Sequence, residues 1–286
     1  MSGAPEGGNA REQQYWNSPA TRPWSEHHDV IDRLLAGVTE ALLAAAAPSA
    51  GESVIDIGCG SGTTVLALAA RVGPKGRVIG ADISEASVAK ARERIAAAGL
   101  RNAEVMLADA SSHRFAPQSC DLLFSRFGVM FFADPVAAFA NFRKAMKPGG
   151  RFTATVFRTP KENPWATASI AAWRHLIEPS PPPGPEEPGQ FAWADPARVK
   201  RILEGGGFRE ISLTPHDPAM RLAGPGGAEE AANFAMMIGP AVRALTGKPE
   251  SLRAPVRAAL KEFFAKHDGP QGIVFPGAIW LVKAKA

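Results

Sequence analysis

The sequence predicts an α/β fold, a largely parallel sheet with helices on both faces and a helical lid. Three observations carry this. Short apolar runs alternate with helical patterns from Val54 to Phe157, a rhythm that argues a parallel sheet wrapped on both faces with right-handed crossovers. The first apolar run breaks into a glycine-rich turn, Gly58-Cys59-Gly60-Ser61-Gly62. Asp56, Asp82, Asp109 and Ser125 all fall near strand carboxyl ends, where ligands bind in such sheets.

The elements follow in order. Residues 1–14 hold Gly, Pro, Glu, Asn and Gln with little to bury, and are expected to be disordered. Tyr15, Trp16 and Trp24 come next. Ser25 is expected to cap a helix whose face is Val30, Ile31, Leu34, Leu35, Val38 and Leu42, ended by Pro48. Val54–Ile57 is the first strand, and a helix from Val65 stops at Gly73-Pro74. Arg77–Ala81 is the second strand, followed by a helix capped by Ser84 and stopped by Gly99. Glu104–Leu107 and Asp121–Ser125 are the third and fourth strands. Asp134-Pro135 is a cap and N1 proline for a helix through Met146. Lys147-Pro148-Gly149-Gly150 turns into a fifth strand, Arg151–Phe157. A helical segment surrounds Trp165–Ile177, residues 179–189 form a stiff Pro-rich loop, and Asp195-Pro196 starts another helix. Arg209–Thr214 is a sixth strand, residues 217–268 read as mostly helical, and Val274–Lys283 is the last strand.

Composition narrows the partners. The 286 residues suit one large domain or a domain plus lid. Net charge is +4 with no long Lys/Arg run, which argues against a nucleic-acid patch. No stretch nears the roughly 18 apolar residues of a membrane span, and the first 30 residues lack a signal-peptide core. A cytoplasmic location without stable membrane insertion is the expectation. Cys59 and Cys120 offer no paired metal spacing, so no metal is expected. Cys59 is read as contributing its backbone.

The glycine turn lets backbone approach a ligand closely and aims helix N–H groups at it. Thr63 stands where a dinucleotide fingerprint has its third glycine. Asp56 can hold a positive group or brace the turn through backbone N–H groups. Asp82 can accept from both hydroxyls of a ribose. Asp109 can accept from an adenine amine while the Ala110 backbone reads the ring edge. Three acids at successive strand ends outline a nucleoside with an ammonium-bearing tail and would repel a diphosphate.

With these residues in place, the chain resembles class I S-adenosylmethionine-dependent methyltransferases of the small-molecule, ubiquinone/menaquinone-methyltransferase-like group. VIDIGCGSG (54–62), VIGADIS (78–84), LADAS (107–111), CDLLFSRFGVMFF (120–132) and KPGGR (147–151) carry the resemblance, across about residues 50–157. It implies a Rossmann-like seven-stranded sheet with the last strand antiparallel. It implies that Asp56, Gly58, Cys59, Gly60 and Gly62 surround the methionine moiety and that Asp82 binds the ribose. Ile83 would pack on the adenine, Asp109 and Ala110 would read it, and Ser125, Arg126 and Phe127 would face the methionine end and the acceptor.

The expected organisation is a tail (1–14), an N-terminal helical lid (15–48) and a core made of 49–157, 206–216 and 270–286. Residues 158–205 would be a lid insertion plus a core helix, and 217–269 a helical insertion over the acceptor pocket. The expected activity is in-line methyl transfer from S-adenosylmethionine to a small, partly apolar acceptor, by a monomer or homodimer that takes no nucleic acid. Tyr15, Trp16 and Trp24 either anchor the N-terminal helix or close over cofactor and acceptor, where an aromatic face suits a sulfonium. Met237 either packs in the core or lines an acceptor pocket. His27 and His28 either supply a base or sit at a solvated helix end. A nicotinamide-dependent oxidoreductase and a non-catalytic S-adenosylmethionine-binding protein are the alternatives; the former is disfavoured by Thr63 and has no need of Asp56.

Overall fold

In the computed structural model, which describes residues 9–184 and 186–286, the alternation lays down a seven-stranded sheet. The strands are β1 Ser53–Ile57, β2 Arg77–Asp82, β3 Ala103–Leu107, β4 Cys120–Arg126, β5 Met146–Phe157, β6 Arg209–His216, β7 Ala219–Ala223, β8 Asp268–Gly269, β9 Gly272–Pro276 and β10 Ile279–Lys285. The main sheet runs β3-β2-β1-β4-β5-β10-β6. β1 pairs in parallel with β2 and β4, β2 with β3, and β4 with β5. β10 is antiparallel to both β5 and β6. The chain winds outward from β1 to β3 and then returns to β4, so the strand order reverses between β1 and β4. Ligands in open sheets bind outside the strand ends at such a reversal.

The helices are α1 Ala10–Trp16, α2 Pro23–Glu26, α3 His28–Leu34, α4 Ala36–Ala46, α5 Thr63–Val72, α6 Glu85–Ala97, α7 Pro135–Ala145, α8 Pro164–Thr167, α9 Ile170–Trp173, α10 Pro196–Gly205, α11 Ala228–Met237, α12 Pro240–Leu245 and α13 Arg253–Ala265. Successive strand residues face opposite sides of a sheet, and two cores result. Val54, Leu122 and Phe124 point to one, with Leu42, Val65, Leu68 and Val88 of α4, α5 and α6. Ile55, Ile57 and Leu123 point to the other, with Phe139, Phe142 and Val199 of α7 and α10. The expected caps form: Ala137 N donates to Asp134 Oδ1 at 2.9 Å and Ser87 N to Ser84 Oγ at 3.4 Å.

Four expectations need correction. Residues 10–14 of the expected disordered tail belong to α1, and residues 1–8 lie outside the described part. Ser25 does not cap a long helix. Pro23 starts α2 two residues earlier, as proline suits a first helical position, and Ser25 Oγ donates to Arg22 O at 2.9 Å. The helix expected to run on to Pro48 is cut at His27 and at Leu35, whose ψ angles of 35° and 8° leave the helical range. The stretch 217–268 contains β7 and β8 as well as helices, and the expected last strand is two strands divided at Gly277-Ala278. β9 joins β7 and β8 in a small second sheet, and only β10 closes the main one.

Candidate functional site

The turn after β1 is built on glycines because two backbones meet there. A Cβ on Gly58 (φ 67°) would lie 2.6 Å from Gly128 Cα, and one on Gly128 would lie 2.5 Å from Ile57 O. Ser125, fully buried, locks this contact: its hydroxyl donates to Ile57 O at 2.8 Å and accepts from Gly128 N at 3.1 Å. Ser125 was expected to face the methionine end; its hydroxyl instead braces the turn against the end of β4. Gly62 (φ 85°) begins α5. Gly60 (φ 54°) differs from Gly58, since a Cβ there would meet nothing within 4 Å. Among the described residues the turn is open at that corner.

Gly58 N and Cys59 N both reach Ala81 O, at 2.8 and 3.3 Å. The Cys59 sulfur packs into the core against Gly80, and burial, then the neighbouring Asp82 and Asp56, push its thiol well up. Cys59 therefore contributes backbone to the turn.

The three acids are held in different ways. Asp82 is half-buried and is fixed by two backbone groups, Gly60 N to Oδ2 at 2.7 Å and Ser84 N to Oδ1 at 2.9 Å. Burial raises its carboxyl against those bonds. Each carboxylate oxygen has about two acceptor positions, so one on each stays free. Asp56 was expected to hold a positive group or to brace the turn through backbone N–H groups. It shares the sheet face of Val54, toward α5, and there Oδ2 accepts from the Thr64 hydroxyl at 2.5 Å. Its Oδ1 has no partner. Burial lifts its pKa to about 7, opposed by the Thr64 bond and Arg126 and reinforced by Asp82. Asp109 caps its own turn: Oδ1 takes Ser111 N at 3.0 Å and Ser111 Oγ at 2.7 Å, and Oδ2 takes Ser112 Oγ at 3.3 Å. Ala110 is buried in the core and Ile83 is half-buried.

Residues missed in the sequence complete the site. α1 lies between two asparagines, and each grips a strand end. Asn9 Nδ2 donates to Asp109 Oδ1 at 3.3 Å, and Asn9 Oδ1 accepts from Ala133 N at 3.0 Å. Asn17 Nδ2 donates to Ile83 O at 3.0 Å, and Asn17 Oδ1 accepts from Glu85 N at 2.9 Å. Asn9 sat in the expected tail; asparagine's frequency at helix ends was the available signal. Asp32 of α3 reaches the other side of the turn, accepting from Thr63 Oγ1 at 2.5 Å and pairing with Arg94 at 3.1 Å. Trp16 stands edge-on to Trp24 at 5.8 Å and to Phe131 at 5.3 Å. Tyr15 is 39% exposed.

The end of β4 is aromatic. Phe127 takes φ 68°, a conformation uncommon outside glycine and a mark of functional strain. Its ring stacks on Phe157 at 4.0 Å with 4° between planes, and Trp165 and Phe191 extend the group at 5.5 and 6.1 Å from Phe157. The Arg126 side chain is 13% exposed and donates to Thr39 Oγ1 at 2.7 Å. Met237 is half-buried at the end of α11, beside Met236 and Ile238, which pack on the core. His28 Nδ1 lies 3.2 Å from Ser25 O. A separate cleft lined by Gly73, Arg77, Leu100 and Glu104 lies at the opposite, amino ends of β2 and β3. Among the described residues no group of three His, Cys, Asp or Glu could hold a metal, and no helix is long and apolar enough to cross a membrane.

This strand order, with its glycine turn at the reversal and its antiparallel β10, is the arrangement of the class I S-adenosylmethionine-dependent methyltransferase fold. Residues 48–207 match the family model described as a methyltransferase domain, and the chain belongs to that family. It is similar to aklanonic acid methyltransferase DauC of Streptomyces sp. (strain C5), 40% identical over 113 residues, 39% of this chain and 51% of the relative. It is also similar to nocamycin O-methyltransferase of Saccharothrix syringae, 30% identical over 192 residues, 64% of this chain and 69% of the relative. The match thus spans about half the length of the first relative. The fold resembles phosphoethanolamine N-methyltransferase 2 of Haemonchus contortus bound to S-adenosyl-L-methionine, with TM-score 0.59 and 16% identity over 96% of this chain and 59% of that one.

Proposed function

We propose that the protein transfers the methyl group of S-adenosylmethionine to a small acceptor with an apolar body. The observation that carries this is Asp82: a carboxylate fastened by Gly60 N and Ser84 N, with an acceptor position free on each oxygen, beside the open corner at Gly60. Asp56 Oδ1, near the end of β1, and Ser61 Oγ, in the turn, are buried and have no partner among the described residues. A buried polar group without a partner is costly, and a ligand rich in polar groups would satisfy them. The residues present therefore fit the cofactor.

When bound, S-adenosylmethionine supplies an electrophilic methyl group on a sulfonium. Asp82 receives the ribose hydroxyls, Ile83 packs on the adenine, and Asp109 and Ala110 read its edge. Gly58, Cys59, Gly60 and Gly62 give the methionine portion close backbone approach, with Asp56 behind them. In the transfer, the acceptor atom bonds to the methyl carbon as the carbon–sulfur bond breaks. The carbon–sulfur electron pair stays on sulfur, and the proton of the acceptor passes to solvent water. Alignment of the two reactants supplies several of the roughly 7–11 kcal/mol that proximity can provide.

The acceptor side is read as the aromatic end of β4 and its covers. Phe127 faces the reacting groups from a strained backbone, while Arg126, Trp16, Trp24, Tyr15 and Met237 border the acceptor. Residues 15–48 and 217–269 act as the lid and the roof. Both curated relatives are named for small-molecule acceptors or products, which supports this reading. A cytoplasmic monomer or homodimer acting without nucleic acid is proposed with it.

The test is incubation with methyl-labelled S-adenosylmethionine and a panel of small polycyclic phenols, carboxylic acids and amines. S-adenosylhomocysteine and a labelled small product are expected. Label appearing only in tRNA or protein would refute the acceptor class. Hydride transfer from a nicotinamide cofactor would refute the reaction.

A further inference from the structure

Asn9, Asn17 and Asp32 all pin the N-terminal cover to the turns after the strands, and one differs in kind from the other two. Asn9 and Asn17 use amides to grip the turns after β3 and β2. The third pin is a carboxylate. Asp32 Oδ1 accepts from the hydroxyl of Thr63, the residue directly after the glycine turn, at 2.5 Å. Oδ2 pairs with Arg94 Nη2 at 3.1 Å, and Oδ1 lies 3.8 Å from Arg126 Nη2. Arg94 in turn donates from Nη1 to Ser61 O and to Thr63 Oγ1, both at 2.9 Å. One carboxylate from α3 thus ties together the glycine turn, α6 and the end of β4.

This group lies beneath the surface. The Asp32, Arg94 and Arg126 side chains are 22%, 21% and 13% exposed, so solvent and salt screen their charges less than those of an open ion pair. Two guanidinium groups converge here. The acids facing them are Asp32 from α3 and Asp56 from β1; burial raises the pKa of the Asp56 carboxyl to about 7, and among the described residues only Asp32 forms an ion pair with either guanidinium. Asp32 is therefore the main counter-charge. Without it, Arg94 and Arg126 repel one another, the Thr63 hydroxyl loses its acceptor, and Arg94, which holds Ser61 O and Thr63 Oγ1, loses its anchor.

We infer that Asp32 is a positioning residue for the methionine end of the cofactor, fastening the N-terminal cover to the glycine turn and setting Arg94 and Arg126 in place there. This rests on the cofactor site proposed above. It separates Asp32 from Asn17, whose bonds to Ile83 O and Glu85 N lie at the adenosine end.

The test is calorimetric titration of the full chain with S-adenosylhomocysteine and with 5′-methylthioadenosine, which keeps the adenosine but lacks the amino-acid end. For Asp32→Asn, S-adenosylhomocysteine is expected to bind about tenfold more weakly or worse, as fits loss of a charge-assisted hydrogen bond. Methylthioadenosine should change by less than about twofold, within the scatter of distant contacts. Asn17→Ala should weaken both ligands by a similar factor. Asp29→Asn, on the same helix but in an exposed pair with Arg33, should weaken neither. Thr63→Val, which removes only the hydroxyl, repeats the selective loss at smaller size and serves if Asp32→Asn does not fold. Unchanged S-adenosylhomocysteine binding in both variants would overturn the inference, as would equal losses for the two ligands. Failure of the wild-type chain to bind either ligand would instead sink the cofactor site, and this inference with it.

Discussion

The ends of β1, β2 and β3 sit beside the end of β4, yet they are built in opposite ways. On the first side, carboxylates are held by backbone N–H and hydroxyl donors of the turns: Asp82 by Ser84 N and Gly60 N, Asp109 by Ser111 and Ser112. On the second side, aromatic rings from distant segments meet, with Phe127 on Phe157 and then Trp165 and Phe191. The polar side fixes a ligand by directional bonds with a defined chemistry. The aromatic side offers shape and apolar surface, which suits acceptors of varied structure. If the proposed sites hold, the two ligands of one reaction are recognised by separable physics.

The largest expected effect tests that separation. Asp82→Ala should weaken S-adenosylhomocysteine binding by about 100-fold or more, since each hydrogen bond to a charged group is worth about 1.5–3 kcal/mol. Phe127→Ala should leave the same affinity within about threefold, a loss below about 1 kcal/mol. Calorimetry that found comparable losses would merge the two sides into one.

Next is the contact that joins them. Gly128→Ala places a Cβ 2.5 Å from Ile57 O, with backbone on both sides unable to yield. It should cost about 2–4 kcal/mol in chemical unfolding. Gly60→Ala meets no atom within 4 Å, so its cost is backbone conformation alone, about 1–2 kcal/mol, but it should impair ligand binding. If Gly128→Ala were as mild as Gly60→Ala, the two turns would not be in contact.

A pH effect of similar size belongs to the polar side. Asp56 keeps its proton in the folded chain up to about pH 7, whereas in the unfolded chain it ionises near 3.8. Between those values the folded state holds one more proton, so the contribution of Asp56 to stability falls as pH rises and levels off above pH 7. From pH 5 to 8 the wild type should lose about 2–3 kcal/mol relative to Asp56→Asn, at about 1.36 kcal/mol per unit over the titrating range. Parallel unfolding curves for the two proteins across that range would contradict the buried, protonated Asp56. The smallest effect is on the aromatic side: Phe157→Leu removes a stacked pair and should cost about 1 kcal/mol in unfolding, most of it the lost ring contact.

The same division decides what could be read in the sequence. The parallel strands of the main sheet, the caps Ser84 and Asp134, and the places of the glycine turn and Asp82 at strand ends were legible because each shows in residues a few positions apart; the contacts of that turn with Gly128 and of Asp82 with Gly60 N do not. Asp56 was placed correctly at the strand end, but its partner was not. That required knowing that Val54 and Asp56 face α5, where the Thr64 hydroxyl waits. The brace at Ser125 was missed for a related reason, since its bonds join β4 to Ile57 and Gly128 across the sheet. Asn9, Asn17 and Asp32 make hydrogen bonds across 124, 68 and 62 positions. No local pattern marks such contacts. The division of β9 from β10 was hidden because an apolar run with a Pro-Gly inside it reads as one strand until its neighbours are known.

The most direct measurement is calorimetric titration of the wild-type chain with S-adenosylhomocysteine and with NAD in parallel. The account predicts stoichiometric binding of S-adenosylhomocysteine, lost in Asp82→Ala, and no heat from NAD. Binding of NAD alone, or S-adenosylhomocysteine binding that Asp82→Ala leaves intact, would contradict it.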